Sequence, residues 1–205
     1  MVLEQFEVEP GAVKVTTSKG MMRVDFYAPD IARVRCTLNE EFSEKDSLMV
    51  VKSGNGEKTE VNVTENKDHL ELSTSLLKIQ IDKATCALTY FDAEGRLLAK
   101  EPSKGGKTLE RTEVVRTVFN DSTALAPELG ADGPRVKTAG AEQVVDRQAF
   151  RTKLEFEWQE GEALYGLGSH EEGMMNLRGQ HQYLYQQNMR RSYLPYYRRR
   201  ATAYL

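Results

Sequence analysis

Cysteine is nearly missing from this chain, with two among 205 residues, and that shortage excludes a disulfide-stapled scaffold. Cys36 and Cys86 lie in stretches that read as strands, so both are expected to be reduced core thiols. Histidine is almost as scarce. His69, His170 and His181 stand far apart, and none lies two to five residues from another His or a Cys, so no structural zinc site, no metal and no other cofactor is expected. No run approaches the roughly 20 apolar residues of a bilayer-spanning helix, which reads as a soluble chain with no membrane partner. The opening Met1-Val2-Leu3-Glu4-Gln5-Phe6-Glu7 lacks the basic start and apolar stretch of a secretory signal, so residence in the cytoplasm is expected. The glycosylation-acceptor patterns at Asn62-Val63-Thr64 and Asn120-Asp121-Ser122 then carry no meaning.

A helical signal is missing as well. No stretch of a dozen residues is read as holding an i, i+3, i+4, i+7 apolar stripe uncut by Gly or Pro, which disfavours α/β and all-α folds. What remains is an ordinary globular composition, 40% apolar and 29% charged, enough for one sizeable domain. The 28 basic and 31 acidic side chains leave a net charge of −3, which argues against a protein built to hold nucleic acid. The charge is unevenly spread. From Gly173 to Leu205 there are six Arg and no Asp or Glu, leaving −9 on the rest of the chain.

Strand periodicity fills the first hundred residues. Met22, Val24 and Phe26 repeat at every second position, as do Val34, Cys36 and Leu38, then Leu70 and Leu72, then Leu77, Ile79 and Ile81, with Leu88 and Tyr90 following. Turn formers punctuate them at Pro10-Gly11, Ser18-Lys19-Gly20, Ala28-Pro29-Asp30, Ser53-Gly54-Asn55-Gly56 and Asp92-Ala93-Glu94-Gly95. Short antiparallel strands at this spacing predict an all-β sandwich or barrel. Residues 1–197 are expected to form that domain, with a loop-rich insertion near 102–140 and an atypical Arg-rich tail at 198–205. Within the insertion, Thr112 to Phe119 reads as one strand and Gly130-Ala131-Asp132-Gly133-Pro134 as a mobile loop tip. Ala149 to Trp158, with Phe150, Leu154, Phe156 and Trp158 alternating with polar residues, is expected to run from an edge into the core.

Few residues suggest chemistry. Gly166-Leu167-Gly168 begins like a dinucleotide fingerprint, but the third Gly and the following helix are missing. Ser169-His170-Glu171 has the residue types of a hydrolase triad, yet neighbours on a strand or turn point apart. No two carboxylates can be singled out as a glycosidase pair. Seven of the nine Tyr fall in the last 41 residues, among Gln, Asn and Arg. Such faces with amide and guanidinium donors suit sugar rings. They would equally suit stacked bases, or simply pack a sandwich rim.

The run from Leu164 through Tyr165-Gly166-Leu167-Gly168 and Asn176-Leu177-Arg178-Gly179 to the aromatic stretch Tyr183-Leu184-Tyr185 and Pro195 resembles the N-terminal domain of glycoside hydrolase family 31. A second match runs from Ser75 to Ile81, through Leu88-Thr89-Tyr90-Phe91-Asp92, to Gly95-Arg96-Leu97-Leu98. The resemblance covers roughly residues 10 to 197. It implies a galactose-mutarotase-like antiparallel β-sandwich, here lacking its last strands, from an α-glucosidase or α-xylosidase. In that family an Asp nucleophile and a second Asp as acid/base sit in a (β/α)₈ barrel following the sandwich. Such a barrel needs about 250 residues. No catalytic residue can therefore be assigned in this chain, and alone it is expected to hydrolyse nothing.

The resemblance also implies one edge of a sugar pocket. The family often ends its aromatic strand in Asn-x-Asp; Gln186, Gln187 and Asn188 stand there in this chain. Asn188, Gln187 and Tyr185 are therefore the expected substrate contacts, with an α-glycoside and the catalytic barrel as partners. A free-standing carbohydrate-binding module is the alternative, and nucleic-acid binding through the Arg/Tyr end a third reading. Past Tyr197 the resemblance stops, so Arg198-Arg199-Arg200-Ala201-Thr202-Ala203-Tyr204-Leu205 is read as a frameshifted or truncated end of a longer gene.

Overall fold

The computed structural model of the chain describes residues 1–45, 58–119, 127–131, 133–136, 141–169, 173–185, 191–198 and 202–204. No helix occurs among them, and so none that could cross a membrane. The chain divides into two compact units, one of Met1–Gly106 with Glu155–Leu205 and the other of Lys107–Leu154.

The first unit opens with a four-stranded antiparallel meander: β1 (Leu3–Glu9), β2 (Ala12–Thr17), β3 (Gly20–Ala28) and β4 (Ile31–Thr37). A five-stranded meander follows: β5 (Asn62–Glu65), β6 (His69–Ser73), β7 (Leu77–Asp82), β8 (Leu88–Asp92) and β9 (Leu97–Lys100). Because side chains on a strand alternate between faces, each sheet offers one apolar face, and the two meet in a single core. Val13, Val15, Met22, Val24 and Phe26 come from the first sheet; Leu70, Leu72, Leu77, Ile79, Ile81 and Leu88 come from the second. Burying each such side chain contributes about 1.5–3 kcal/mol. The sheets are also tied by their backbones, as Leu3 N donates to Lys83 O at 2.9 Å. The antiparallel sandwich expected from the alternation is thus what forms.

The outward faces are polar. On the first sheet Arg23 lies directly across from Arg35, and Asp25 reaches both, at 2.7 Å from Arg23 Nε and 2.9 Å from Arg35 Nη2. On the second, the β8–β9 turn is held by Asp92, which accepts from Arg96 N at 2.8 Å and from Arg96 Nε at 2.6 Å. Desolvation works to raise the Asp92 pKa, but these bonds and the Arg96 charge together outweigh it and hold the carboxyl below its usual range.

Two details of the first unit differ from expectation. Leu38 falls one residue past the end of β4. Cys86, buried and outside any disulfide as expected of a core thiol, is not in a strand. It sits in the tight β7–β8 connection with φ of 56°, where Asp82 Oδ1 accepts from both Thr85 N and Thr85 Oγ1 at 2.8 Å. The side chain closes the turn locally, so the apolar alternation that continues through position 86 does not mark a strand.

The second unit is a long antiparallel ribbon. β10 (Lys107–Phe119) pairs with β13 (Ala141–Leu154), and between them β11 (Pro127–Gly130) pairs with β12 (Gly133–Val136). The run expected at Thr112 to Phe119 is the second half of β10. Of the Gly130–Pro134 stretch, expected to be a mobile loop tip, Gly130 pairs with Gly133 and Pro134 with Leu129 across the small hairpin, while Asp132 lies outside the described residues. The excursion read as 102–140 therefore extends to Leu154. Ala149 to Leu154 does not enter the core: Phe150 and Leu154 remain exposed, because the alternate positions around them are Gln148 and Thr152 rather than a further apolar row.

Candidate functional site

After the ribbon the chain returns to the first unit beside β9. Glu155 N donates to Gly106 O at 2.8 Å and Glu157 N to Lys100 O at 2.7 Å. Phe156 meets Tyr90, with ring centroids 6.5 Å apart. Trp158, two residues on, is 49% exposed, with the Arg178 guanidinium 5.0 Å from its ring centroid. It too departs from the expected path into the core.

Next comes a three-stranded sheet in the order β14 (Leu164–Ser169), β15 (Arg191–Arg198) and β16 (Thr202–Tyr204). The stretch read as an Arg-rich tail thus supplies the end of one strand and all of another. In β14 the register slips between Gly166 and Gly168, and Gly166, Leu167 and Gly168 all have positive φ, at 112°, 63° and 105°. The Gly-x-Gly that fails as a dinucleotide fingerprint lies opposite an irregularity in which Leu167 alone faces the three residues Tyr193–Pro195 of β15, and its glycines allow the bend. Leu167 takes the left-handed conformation at a cost of about 1–2 kcal/mol.

The Asn176-Leu177-Arg178-Gly179 step staples this strand. Asn176 Oδ1 accepts from Leu164 N and from Arg178 N, both at 3.1 Å, and Leu177 N donates to Leu164 O at 2.8 Å. Leu177 is buried, and Arg178 Nη1 donates to Glu162 O at 2.8 Å. Around this anchor the chain leaves a run of large side chains in water. Met175 and Tyr183 are about 80% exposed, and Met174, Leu184 and Tyr185 about half that.

Of the residues expected to touch a sugar, Tyr185 ends this exposed run, while Gln187 and Asn188 lie outside the described residues, as do Gln186, His170 and Glu171. Ser169 ends β14 opposite Arg191. His181 is exposed, and the His69 ring lies 3.1 Å from Asn66 Nδ2. Among the described residues no cluster of His, Cys, Asp or Glu could hold a metal ion. A depression of about 180 Å³ on the outer face of the five-stranded sheet, walled by His69, Asp82, Thr89 and Lys100 among others, is smaller than the roughly 300–1,000 Å³ of usual ligand pockets.

The sequence profile of the glycosyl hydrolase 31 N-terminal galactose mutarotase-like domain matches residues 21–196, which include both sandwich sheets from β3 onward, the ribbon, the bend and the staple. The chain belongs to that family. Solved structures agree on the fold of this family 31 domain. The GH31 α-xylosidase from Xanthomonas citri superposes with a TM-score of 0.68 at 20% identity, over 94% of this chain and 18% of that one. A GH31 α-xylosidase from a soil metagenome, complexed with xylose, gives 0.63 at 19% identity over 95% and 26%. The Flavobacterium johnsoniae GH31 dextranase, complexed with glucose, gives 0.61 at 16% identity over 96% and 21%. The chain thus spans about a fifth to a quarter of the length of these enzymes. Among its described residues all regular secondary structure is β-strand, with no helix of an α/β barrel.

Two features of the site were missed by sequence reasoning. The staple could have been read from Asn176, a residue type that caps backbone donors, two positions before a Gly-adjacent Arg. The exposure of Trp158 had no such local signal, because the alternation Phe156-x-Trp158 looks the same whether or not a sheet continues over it.

Proposed function

We propose that this chain is the non-catalytic N-terminal sandwich of a family 31 α-glycosidase, packing on a catalytic barrel and lending it one edge of the sugar pocket. The observation that carries the reading is the exposure of Met174 and Met175 on one side of the stapled step and of Tyr183, Leu184 and Tyr185 on the other. Five large apolar and aromatic side chains left in water around one anchored turn point to an interaction surface. Tyr185, Gln187 and Asn188 follow at its end, where an aromatic face and two amides offer stacking and hydroxyl recognition. The parent substrate is an α-glycoside, in keeping with the α-xylosidases and dextranase that share the fold.

Two measurements test this. The isolated chain should show no turnover of 4-nitrophenyl α-glucoside or α-xyloside, and robust turnover would refute the non-catalytic role. A separately expressed family 31 barrel should bind the chain, and Tyr183→Asp should abolish the association. If no barrel binds, and the chain alone shows saturable glycan binding that Asn188→Ala removes, it is a free-standing carbohydrate-binding module instead.

A further inference from the structure

We propose that Trp158 is an accessory stacking platform for a neutral pyranose, separate from the Tyr185–Asn188 edge. It is the only tryptophan in the chain, and half of it faces solvent. An exposed indole is often a mobile one, but this one is fixed from both ends. Glu157 N donates to Lys100 O at 2.7 Å before it, and Gln159 Nε2 to Leu98 O at 2.8 Å after it. Gln159 N also donates to Glu162 Oε2 at 3.1 Å. The Arg178 guanidinium lies over the ring, and Arg178 is itself held by Glu162 O and by the Asn176 staple. A cation on the ring and a pinned backbone remove the freedom a ligand would otherwise have to freeze out, so stacking costs little ordering.

The surroundings select the ligand class. Glu155, Glu157, Glu160 and Glu162 flank Trp158 in sequence within eight residues, Lys100 lies 3.2 Å from Glu157, and Arg178 is the cation on the ring. This acidic setting repels a phosphate backbone or any anionic glycan. Carboxylates accept hydrogen bonds from hydroxyls, and an indole face suits the C–H face of a sugar ring. A neutral oligosaccharide satisfies both. Phe156 shows the contrast: two residues earlier, it packs on Tyr90 and is only part-exposed.

Because no other tryptophan is present, the emission of the chain reports on this site alone. Titrating the full 205-residue chain with maltotriose should give a saturable change in tryptophan emission. Sorbitol, a polyol with no ring face, should give none. By calorimetry Trp158→Ala should weaken maltotriose binding by about tenfold or more, with Trp158→Phe intermediate. Asn188→Ala should leave the emission titration in place, which separates this platform from the pocket edge proposed above. An emission unmoved by maltotriose, an equal response to sorbitol, or calorimetric binding unchanged in Trp158→Ala would each overturn the platform.

Discussion

β7 in the sandwich and β13 in the ribbon are both antiparallel strands that set apolar residues among charged and polar ones, yet they meet opposite fates. Leu77, Ile79 and Ile81 are closed off between two sheets. Val145, Phe150 and Leu154 stand 39–59% exposed on a two-stranded ribbon. Pairing into a ladder therefore does not decide whether a second layer covers a strand's apolar residues. The covering layer comes from elsewhere in the chain, as when β2 and β3 close over β6 and β7. A two-stranded ribbon has no such layer of its own and is marginal by itself in water.

Core truncation should separate the two regions most sharply. Ile79→Ala or Leu72→Ala should destabilise the sandwich by about 2–5 kcal/mol in urea unfolding. Val145→Ala in the ribbon should change it by about 0.5 kcal/mol or less. Equal effects would mean that the ribbon is as well packed as the core.

A smaller effect is expected where the sandwich hands the chain to the ribbon. A Cβ on Gly106 would lie 2.6 Å from Glu155 O and 2.7 Å from Glu101 Cβ. Glu101 is itself buried, with Oε2 accepting from Leu88 N at 3.0 Å. Gly106→Ala should therefore cost about 1–3 kcal/mol through overpacking, lowering the thermal midpoint, whereas Gly133→Ala in the small hairpin meets no neighbour within 4 Å and carries only the strain of its φ of 112°.

The smallest difference should appear with pH. Asp92 has a folded pKa below its unfolded value, so its contribution is present above the unfolded value and is lost as pH falls through the folded one. Thermal midpoints from pH 6 down to pH 2 should fall less in Asp92→Asn than in the parent chain. If the two curves run parallel, the turn contributes nothing to acid sensitivity.

Much of the sandwich was legible because its strands are short and bounded by turn residues, and because their buried rows, Met22-x-Val24-x-Phe26 and Leu77-x-Ile79-x-Ile81, are unbroken. Cys86 misled because its turn is closed by the Asp82 side chain, which periodicity does not register. The ribbon was under-read because β13 begins in a stretch with no apolar row and acquires one only near Val144 and Val145. At the site, the Tyr-Gly-Leu-Gly run was recognisable as a family feature, but its mechanical role as a bend opposite the longer stretch of β15 needed the register slip between the two strands. Nothing local distinguishes the packed Phe156 from the open Trp158.

Arg23 and Arg35 face each other across β3 and β4, a like-charge pairing that a sheet disfavours unless something stands between them. Asp25 supplies that shield to both. The three positions are therefore unequal under evolutionary drift: either arginine can be lost with the acid still balanced by the other, but losing Asp25 first leaves two guanidiniums opposed. Lineages that abandon this triad are expected to shed an arginine before the aspartate.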